Sequence, residues 1–227
     1  MSLPTVPIGL LPTREALHRV AEHVLAPVRV QETGHEIALE ARGAGVATPD
    51  LPHGGWVGFS GTDLVVVDRG GGETRTPLST LREAATAAGL RGADGLDETP
   101  LDVDRTASLF LGTVYEIGTR ALTALAELHD PDAPVRLWPE HFDVAVELGD
   151  EAAGARAAYG ISPGDEQHDE PYAYVAPWAG PRGDAALWNA TGFAGAEVGW
   201  TSLRGEEDPV SALVAFWTAR FIALRDG

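Results

Sequence analysis

The sequence predicts an α+β protein made of two similar halves, each with a helix, several antiparallel strands and a second helix. Three observations support this class. Segments such as 35–43, "HEIALEARG", and 141–149, "HFDVAVELG", alternate apolar and polar residues, which is typical of half-buried strands. Segments with apolar residues three and four positions apart flank them, as in amphipathic helices. Finally, short strings recur in the same order along the chain, which indicates an internal duplication.

The repeated strings predict the domain organisation. We expect a first α+β repeat over residues 1–90, a connector rich in Gly and Asp over 91–104, and a second α+β repeat over 105–227, packed as one compact unit. Besides the pair quoted above, the matching strings are "APVRV" (26–30) with "APVRL" (133–137), "GVATPDLPHGGWVGF" (45–59) with "GISPGDEQHDEPYAYV" (160–175), and "TPLSTL" (76–81) with "DPVSAL" (208–213).

Apolar spacing and capping residues predict the helices. One helix follows Thr13 and a longer one follows Asp104, because each is followed by a stripe of apolar residues. Two more are expected over 77–88 and 209–224, where a good N-cap residue precedes a proline at the first helical position. The residues expected on the buried faces are Leu17, Val20, Val24 and Leu25 in the first helix, Phe110, Val114, Ile117, Ala121, Leu125 and Leu128 in the second, and Leu213, Val214, Trp217 and Phe221 in the last.

Alternation and turn residues predict the strands that lie between these helices. In the first half they are expected near 35–42, 55–60 and 63–69. In the second half they are expected near 141–148, 155–161, 171–177 and 195–203.

Composition narrows the function classes. The chain of 227 residues has 44% hydrophobic residues and no cysteine, so disulfides, thiolate nucleophiles and sulfur-ligated metals are excluded. Its 34 acidic residues outnumber 16 basic ones, all of them arginine, and the formal net charge is −18. Such a charge repels phosphate backbones and anionic lipid surfaces, so we expect neither nucleic acid nor membrane as a partner. No leader or long apolar run is evident, and we expect a cytoplasmic protein.

Several strings resemble an uncharacterised bacterial family of actinobacterial type, a domain of unknown function with a duplicated α+β arrangement. In the first half the resemblance depends on "HEIALEARGAGVATPDLP"; in the second it depends on "LWPEHFDVAVELG", "SPGD", "EPYAYVAPW" and "DPVSALVAFW". The chain differs from the family pattern in having His-Glu where the family tends to place His followed by tryptophans. The resemblance implies the architecture, and it implies no activity, cofactor or catalytic residue.

The segment "SPGDEQHDEPY" (162–172) is the first candidate site. It is an acidic loop between two predicted strands, and His141 and Asp143 would project from one face of a neighbouring strand. If they meet, His141, Asp143, His168 and Glu170 would form a nitrogen and oxygen cluster suited to a divalent metal such as Zn²⁺, Mn²⁺ or Fe²⁺. A metal-dependent hydrolase or oxygenase with Glu166 as base would follow, and the duplication adds His35 and His53 as equivalents. No recognised metal motif is present, so a solvated acidic turn and metal-free acid–base chemistry are alternatives.

Aromatic residues form the second candidate site. We expect Trp138, Tyr172, Tyr174, Trp178 and Trp200 to lie in or beside strands, where they would pack in the core or line an apolar pocket between the halves. This favours a protein that binds a small molecule or a partner chain over the metal enzyme. Unpaired strands at the edges of the sheets also allow a homodimer joined edge to edge.

Overall fold

The structure, a computed structural model, describes residues 3–227 and confirms the α+β class. It contains two antiparallel sheets of five strands each, and both are simple meanders in which every strand pairs with the next one along the chain. The chain divides into two compact units. The N-terminal unit comprises residues 6–116 and 137–142, and the C-terminal unit comprises residues 3–5, 117–136 and 143–227.

The unit boundary differs from the predicted organisation in two respects. It falls between Glu116 and Ile117, inside a continuous helix, whereas we expected a connector at 91–104. The segment 137–142, which we assigned to the second repeat, belongs to the N-terminal unit. There the Leu137 amide donates to the Leu39 carbonyl at 2.9 Å, and the Leu39 amide donates to the Leu137 carbonyl at 2.8 Å. This backbone bridge joins Leu137 to the N-terminal unit.

The helices of the N-terminal unit follow the predicted apolar stripe. Helix α1 (Leu10–Val20) continues through a π-helical turn, Ala21–Leu25, into α2 (Ala26–Thr33), which Gly34 ends in the left-handed conformation. The predicted stripe is fully buried, as Leu17, Val20, Val24 and Leu25 each have 0% exposure. Helix α3 (Leu81–Ala87) begins at Thr80, whose hydroxyl accepts a hydrogen bond from the Glu83 amide, and packs against the sheet.

The first sheet consists of short strands joined by tight turns. Strands β3 and β4 form its core, and Phe59, Leu64 and Val65 are at most 2% exposed. At Gly45 a side chain would collide with the Phe59 carbonyl, so the close approach of β2 to β3 requires glycine there. The strands are β1 (Glu40–Arg42), β2 (Gly45–Ala47), β3 (Trp56–Ser60), β4 (Asp63–Val67) and β5 (Glu73–Pro77).

Helix α4 (Arg105–His129) begins where its cap predicts. The carboxylate of Asp104 accepts a hydrogen bond from the Ala107 amide at 2.8 Å, as an N-cap should. Within α4, the predicted apolar residues are buried from Phe110 to Leu125, whereas Leu128 is 64% exposed. The last turn therefore does not continue the buried stripe.

The C-terminal unit places its helices on a longer sheet. Helix α6 (Pro209–Asp226) begins at Asp208, whose side chain accepts hydrogen bonds from the Val210 and Ser211 amides, and it packs against the fourth strand of the sheet. Trp217 of α6 is fully buried and donates its indole N–H to a strand carbonyl. The remaining elements of this unit are β7 (Asp143–Leu148), β8 (Ala157–Ser162), β9 (Tyr172–Pro177), β10 (Ala196–Gly199) and α5 (Trp200–Leu203). The first strand of the sheet is β6 (Arg136–Trp138), of which Leu137 and Trp138 belong to the N-terminal unit.

Two of the repeated strings have different structures in their two copies. "APVRV" lies in helix α2, whereas "APVRL" forms a turn and strand β6. Pro77 ends strand β5 rather than beginning a helix, while Pro209 does begin α6. The strings therefore align the sheets, which share the meander topology, better than they align the helices.

None of the helices in residues 3–227 has the length and apolarity that crossing a bilayer requires.

Candidate functional site

The acidic loop between β8 and β9 has a defined conformation that its own side chains hold. The Asp165 carboxylate accepts hydrogen bonds from the amides of Gln167 at 2.8 Å and His168 at 3.0 Å, which is an Asx-type turn. The Asp165 amide in turn donates to the His168 carbonyl at 3.1 Å. Ser162 bonds both the amide and the carbonyl of Gly164 at the start of the loop. The loop is therefore a structured turn at the end of the sheet.

His168 is the centre of a polar cluster. Its Nδ1 lies 2.8 Å from Asp165 Oδ1, and its Nε2 lies 3.3 Å from Glu197 Oε2 on the neighbouring strand β10. Its ring stacks on Tyr172 with 4.0 Å between centroids, and the Tyr172 hydroxyl donates to Asp165 Oδ2 at 2.6 Å. Both ring nitrogens thus face carboxylates, so neither is directed at a nucleophile as the base of a catalytic triad would be.

The contacts in the cluster shift the pKa of two of its members in opposite directions. Burial disfavours the charged form of Asp165, but hydrogen bonds from Tyr172, His168 and the Gln167 amide outweigh it and lower the pKa of the carboxyl group. Burial and the neighbouring Asp165 carboxylate raise the pKa of Tyr172. At neutral pH the pair is therefore an ionised carboxylate and a neutral phenol that donates to it.

A second tyrosine and aspartate pair lies beside the first. Tyr174, two residues further along β9, donates its hydroxyl to Asp143, which is 5% exposed. Burial and the Asp143 charge raise the pKa of Tyr174 well above its usual value. Its ring lies over Gly160 of β8, its register partner, and meets the ring of Phe193 edge-on at 6.5 Å. The two tyrosines therefore share one face of the sheet, as their spacing in a strand requires.

The cluster opens into a cavity of about 370 Å³. One wall is the acidic loop at residues 165–168, another is the ring of Tyr172, and the loop before β10 contributes Gly192 and Phe193. We call this cavity the acidic pocket. Its volume lies at the small end of the range found for ligand sites, about 300–1,000 Å³.

The four predicted metal ligands do not form a coordination group. Among residues 3–227, no three His, Asp or Glu side chains are arranged so that they could hold a metal ion. His141 is exposed and lies in a turn, and Phe142, with φ of 53°, breaks the strand alternation that was to align His141 with Asp143. Glu170 bonds the amide and hydroxyl of Thr201 instead of facing His168.

The histidines expected to be equivalent by duplication are also on the surface. His35 has a side chain that is 81% exposed and lies 3.3 Å from the carboxylate of Glu36. His53 is exposed in the turn before β3. Neither repeats the environment of His168, so the polar cluster is a property of the C-terminal unit.

The aromatic residues predicted to line one pocket have different environments. Tyr172 lines the acidic pocket and Tyr174 lies beside it, with 6.2 Å between the ring centroids. Trp200 is fully buried and donates its indole N–H to the Pro4 carbonyl. Trp178 follows the far end of β9 and is 53% exposed. The guanidinium carbon of Arg156 lies over its ring, 5.0 Å from the centroid.

Trp138 lies in β6 and is half-buried in the N-terminal unit. Of the five predicted residues, the structure brings the two tyrosines together.

Sequence reasoning missed Glu197 and Phe193. Glu197 reaches His168 because β10 pairs with β9 in a register that places Glu197 opposite Tyr174. No spacing in the sequence connects these positions, which are 29 residues apart. The one available signal was the alternation in "AEVG", which places Glu197 and the buried Ala196 on opposite faces of a short strand.

Comparisons with protein family models, curated proteins and solved structures found no match for this chain. The resemblance to the uncharacterised family therefore stays a prediction.

Proposed function

We propose that the protein binds a small organic cation, an amine or a guanidinium carried on an apolar group, in the acidic pocket. The observation that supports this most strongly is the combination of ionised Asp165 with the aromatic walls Tyr172 and Phe193 around one cavity of about 370 Å³. A carboxylate accepts hydrogen bonds from an ammonium group, and aromatic faces attract cations and cover apolar surface.

The electrostatics of the pocket favour a cation over a neutral or anionic ligand. Asp165 and Glu166 line it, and Glu197 lies behind His168. The whole chain has a net charge of −18, which raises the local concentration of cations and speeds their association. An anionic ligand would meet both this field and the carboxylates at the wall.

Binding without chemistry explains the contacts of His168 better than catalysis does. A general base needs a ring nitrogen directed at the proton it removes, but both nitrogens of His168 are held by carboxylates. In a binding site the same contacts orient the imidazole so that its face supports Tyr172. We therefore assign His168 and Asp165 the role of fixing the tyrosine wall and the charge of the pocket.

A calorimetric titration with three ligands of one shape and different charge tests this proposal. Benzylammonium, benzyl alcohol and benzoate share one ring and differ in the charge of the polar group. We expect benzylammonium to bind at least about tenfold more tightly than benzyl alcohol, because one charge-assisted hydrogen bond contributes about 1.5–3 kcal/mol. Benzoate should give no heat of binding.

Two variants and a matched control locate the effect. Asp165→Asn should weaken benzylammonium binding about tenfold, and Phe193→Ala should weaken it severalfold. Glu207→Gln removes an exposed carboxylate outside the pocket with the same change in charge, and it should leave the affinity unchanged. Equal affinity for the cation and the alcohol, or equal effects of Asp165→Asn and Glu207→Gln, would reject the proposal.

A further inference from the structure

We infer that residues 189–195, "NATGFAG", form a flap over the acidic pocket and that Asn189 is the latch that holds it closed. The inference goes beyond ligand binding, because it concerns access to the pocket and can be tested without a ligand. Two residues of this segment, Gly192 and Phe193, line the pocket together with the acidic loop.

The latch consists of a pair of hydrogen bonds to an edge strand. The Asn189 amide group donates to the Glu197 carbonyl at 3.0 Å, and its side-chain oxygen accepts from the Glu197 amide at 3.1 Å. β10 is the last strand of its sheet, so these Glu197 backbone groups point away from β9. Asn189 thus pairs with the strand edge as a neighbouring strand would, and it blocks the edge that dimerisation through β10 would require.

The flap itself makes further contacts within residues 3–227, and at its end Gly195 is buried against the Val175 carbonyl. Within it, the Ala190 amide donates to the Gly195 carbonyl at 3.1 Å. The ring of Phe193 touches Tyr174 edge-on, and the Gly192 backbone lies so close to the Gln167 side chain that an added methyl group would collide with it. The segment contains no charged residue, and its other side chains are small.

Both ends of the flap are fixed, which defines where it can bend. Before it, the Trp188 indole donates to the Arg182 carbonyl at 2.7 Å, and Arg220 of α6 donates to the Leu187 carbonyl at 3.2 Å. After it, β10 is paired with β9. Breaking the latch would therefore release residues 189–195 between two rigid ends.

The latch is also connected to the polar cluster. Asn189 holds the backbone of Glu197, and the Glu197 carboxylate lies 3.3 Å from His168 Nε2. Opening the flap exposes the pocket wall and loosens the partner of His168 in one movement. The side chain of His168, which is 19% exposed, should then become more accessible to reagents in solvent.

The chain makes the latch unusually easy to observe. Asn189 is its only asparagine, so selective ¹⁵N labelling of asparagine gives one side-chain amide signal. In the closed state we expect that amide to exchange with solvent at least about threefold slower than the amide of free asparagine, because one proton is bonded to Glu197. An exchange rate equal to that of free asparagine would overturn the inference.

Chemical modification of His168 measures access to the pocket. We expect Asn189→Ala to increase the rate at which diethyl pyrocarbonate modifies His168 at least about threefold, relative to the exposed His35 of the same molecule. Asp184→Ala is the matched control, because it removes a side-chain to backbone hydrogen bond in the same connection but outside the flap. Equal rates in Asn189→Ala and wild type, or equal increases in both variants, would overturn the inference.

A second variant keeps the test decisive if Asn189→Ala loosens β10 as a whole. Asn189→Asp has the same shape as the native side chain; it keeps the acceptor for the Glu197 amide and loses the donor to the Glu197 carbonyl, so it weakens the latch and still holds the edge of β10. We expect the same increase in His168 modification. An unchanged rate in Asn189→Asp would show that the latch does not control access, whatever the result of the ligand titration.

Discussion

Replacing Gly160 by alanine tests whether Tyr174 needs the space above β8. A Cβ at this position would lie 2.5 Å from the Tyr174 ring carbon Cζ and hydroxyl oxygen and 2.6 Å from Cε1. Ordinary contacts are about 3.5–4.0 Å, so the ring must move by about 1 Å. That movement takes the hydroxyl away from the buried carboxylate of Asp143.

The expected loss follows from three contributions. Overpacking at a close-packed position costs about 1–3 kcal/mol. Losing the hydrogen bond to a charged acceptor adds about 1.5–3 kcal/mol. The lower conformational entropy of the unfolded chain with alanine returns about 0.5–1 kcal/mol. We therefore expect Gly160→Ala to lower the free energy of unfolding by about 1.5–5.5 kcal/mol, measured by urea denaturation with circular dichroism.

A double-mutant cycle separates this mechanism from a general effect on the strand. In the background of Tyr174→Ala the ring is absent, so Gly160→Ala should cost nothing and gain up to about 1 kcal/mol. Gly95→Ala is the control, since nothing lies within 4 Å of the added Cβ, and it should raise the free energy of unfolding by no more than about 1 kcal/mol, the entropy contribution alone. Additive costs of Gly160→Ala and Tyr174→Ala would show that the collision with the Tyr174 ring is not the cause of the loss.

Three further predictions concern caps and titrating groups. Asp208→Ala should destabilise α6 by about 0.5–2 kcal/mol, because the N-cap acceptor for two amides is lost. A urea denaturation curve followed by the helical circular dichroism signal checks this, and an unchanged midpoint would contradict it. The folded pKa of Asp165 is lowered, so its contribution to stability is fully present above its unfolded value of about 3.8 and is lost as the pH falls below that value. The stability difference between wild type and Asp165→Asn should therefore shrink on acidification below pH 4, and a difference independent of pH would contradict it. Burial raises the folded pKa of Tyr159, Tyr172 and Tyr174, so tyrosinate absorption at 295 nm should appear at higher pH in the folded than in the unfolded protein. The free energy of unfolding should therefore fall as the pH rises above 10. Coincident titrations of the folded and the unfolded protein would contradict this prediction.

Local physical signals explain the parts of the fold that could be predicted from the sequence. The apolar stripe from Leu17 to Leu25 and the cap at Asp104 both act within one or two helical turns. The neighbouring residues in the sequence are therefore enough to predict these helices. The cap and proline at Asp208 predicted α6 for the same reason. The prediction that a helix begins at Pro77 was wrong, because β5 pairs with β4 and this pairing keeps Pro77 in the sheet. The helix is capped by Thr80 instead.

The polar cluster could not be predicted from the sequence, because its members are distant in the chain and the strand that was to begin at His141 is interrupted at Phe142. The metal hypothesis needed strict strand alternation from His141 to Asp143, and the left-handed backbone at Phe142 removes it. Glu197 reaches His168 through the register of β10 on β9, which single-sequence patterns do not specify. The acidic loop contains His168 and Asp165 of the polar cluster, whereas the contact with Glu197 depends on tertiary pairing.

We propose that the acidic pocket is a cation site. The most direct test is a ¹H–¹⁵N correlation spectrum of the ¹⁵N-labelled protein titrated with benzylammonium and, separately, with benzyl alcohol. We predict saturable shifts with the cation that cluster at residues 165–172 and 192–197, and much smaller shifts with the alcohol. Shifts that are absent, that lie elsewhere, or that are the same for both compounds would contradict the claim.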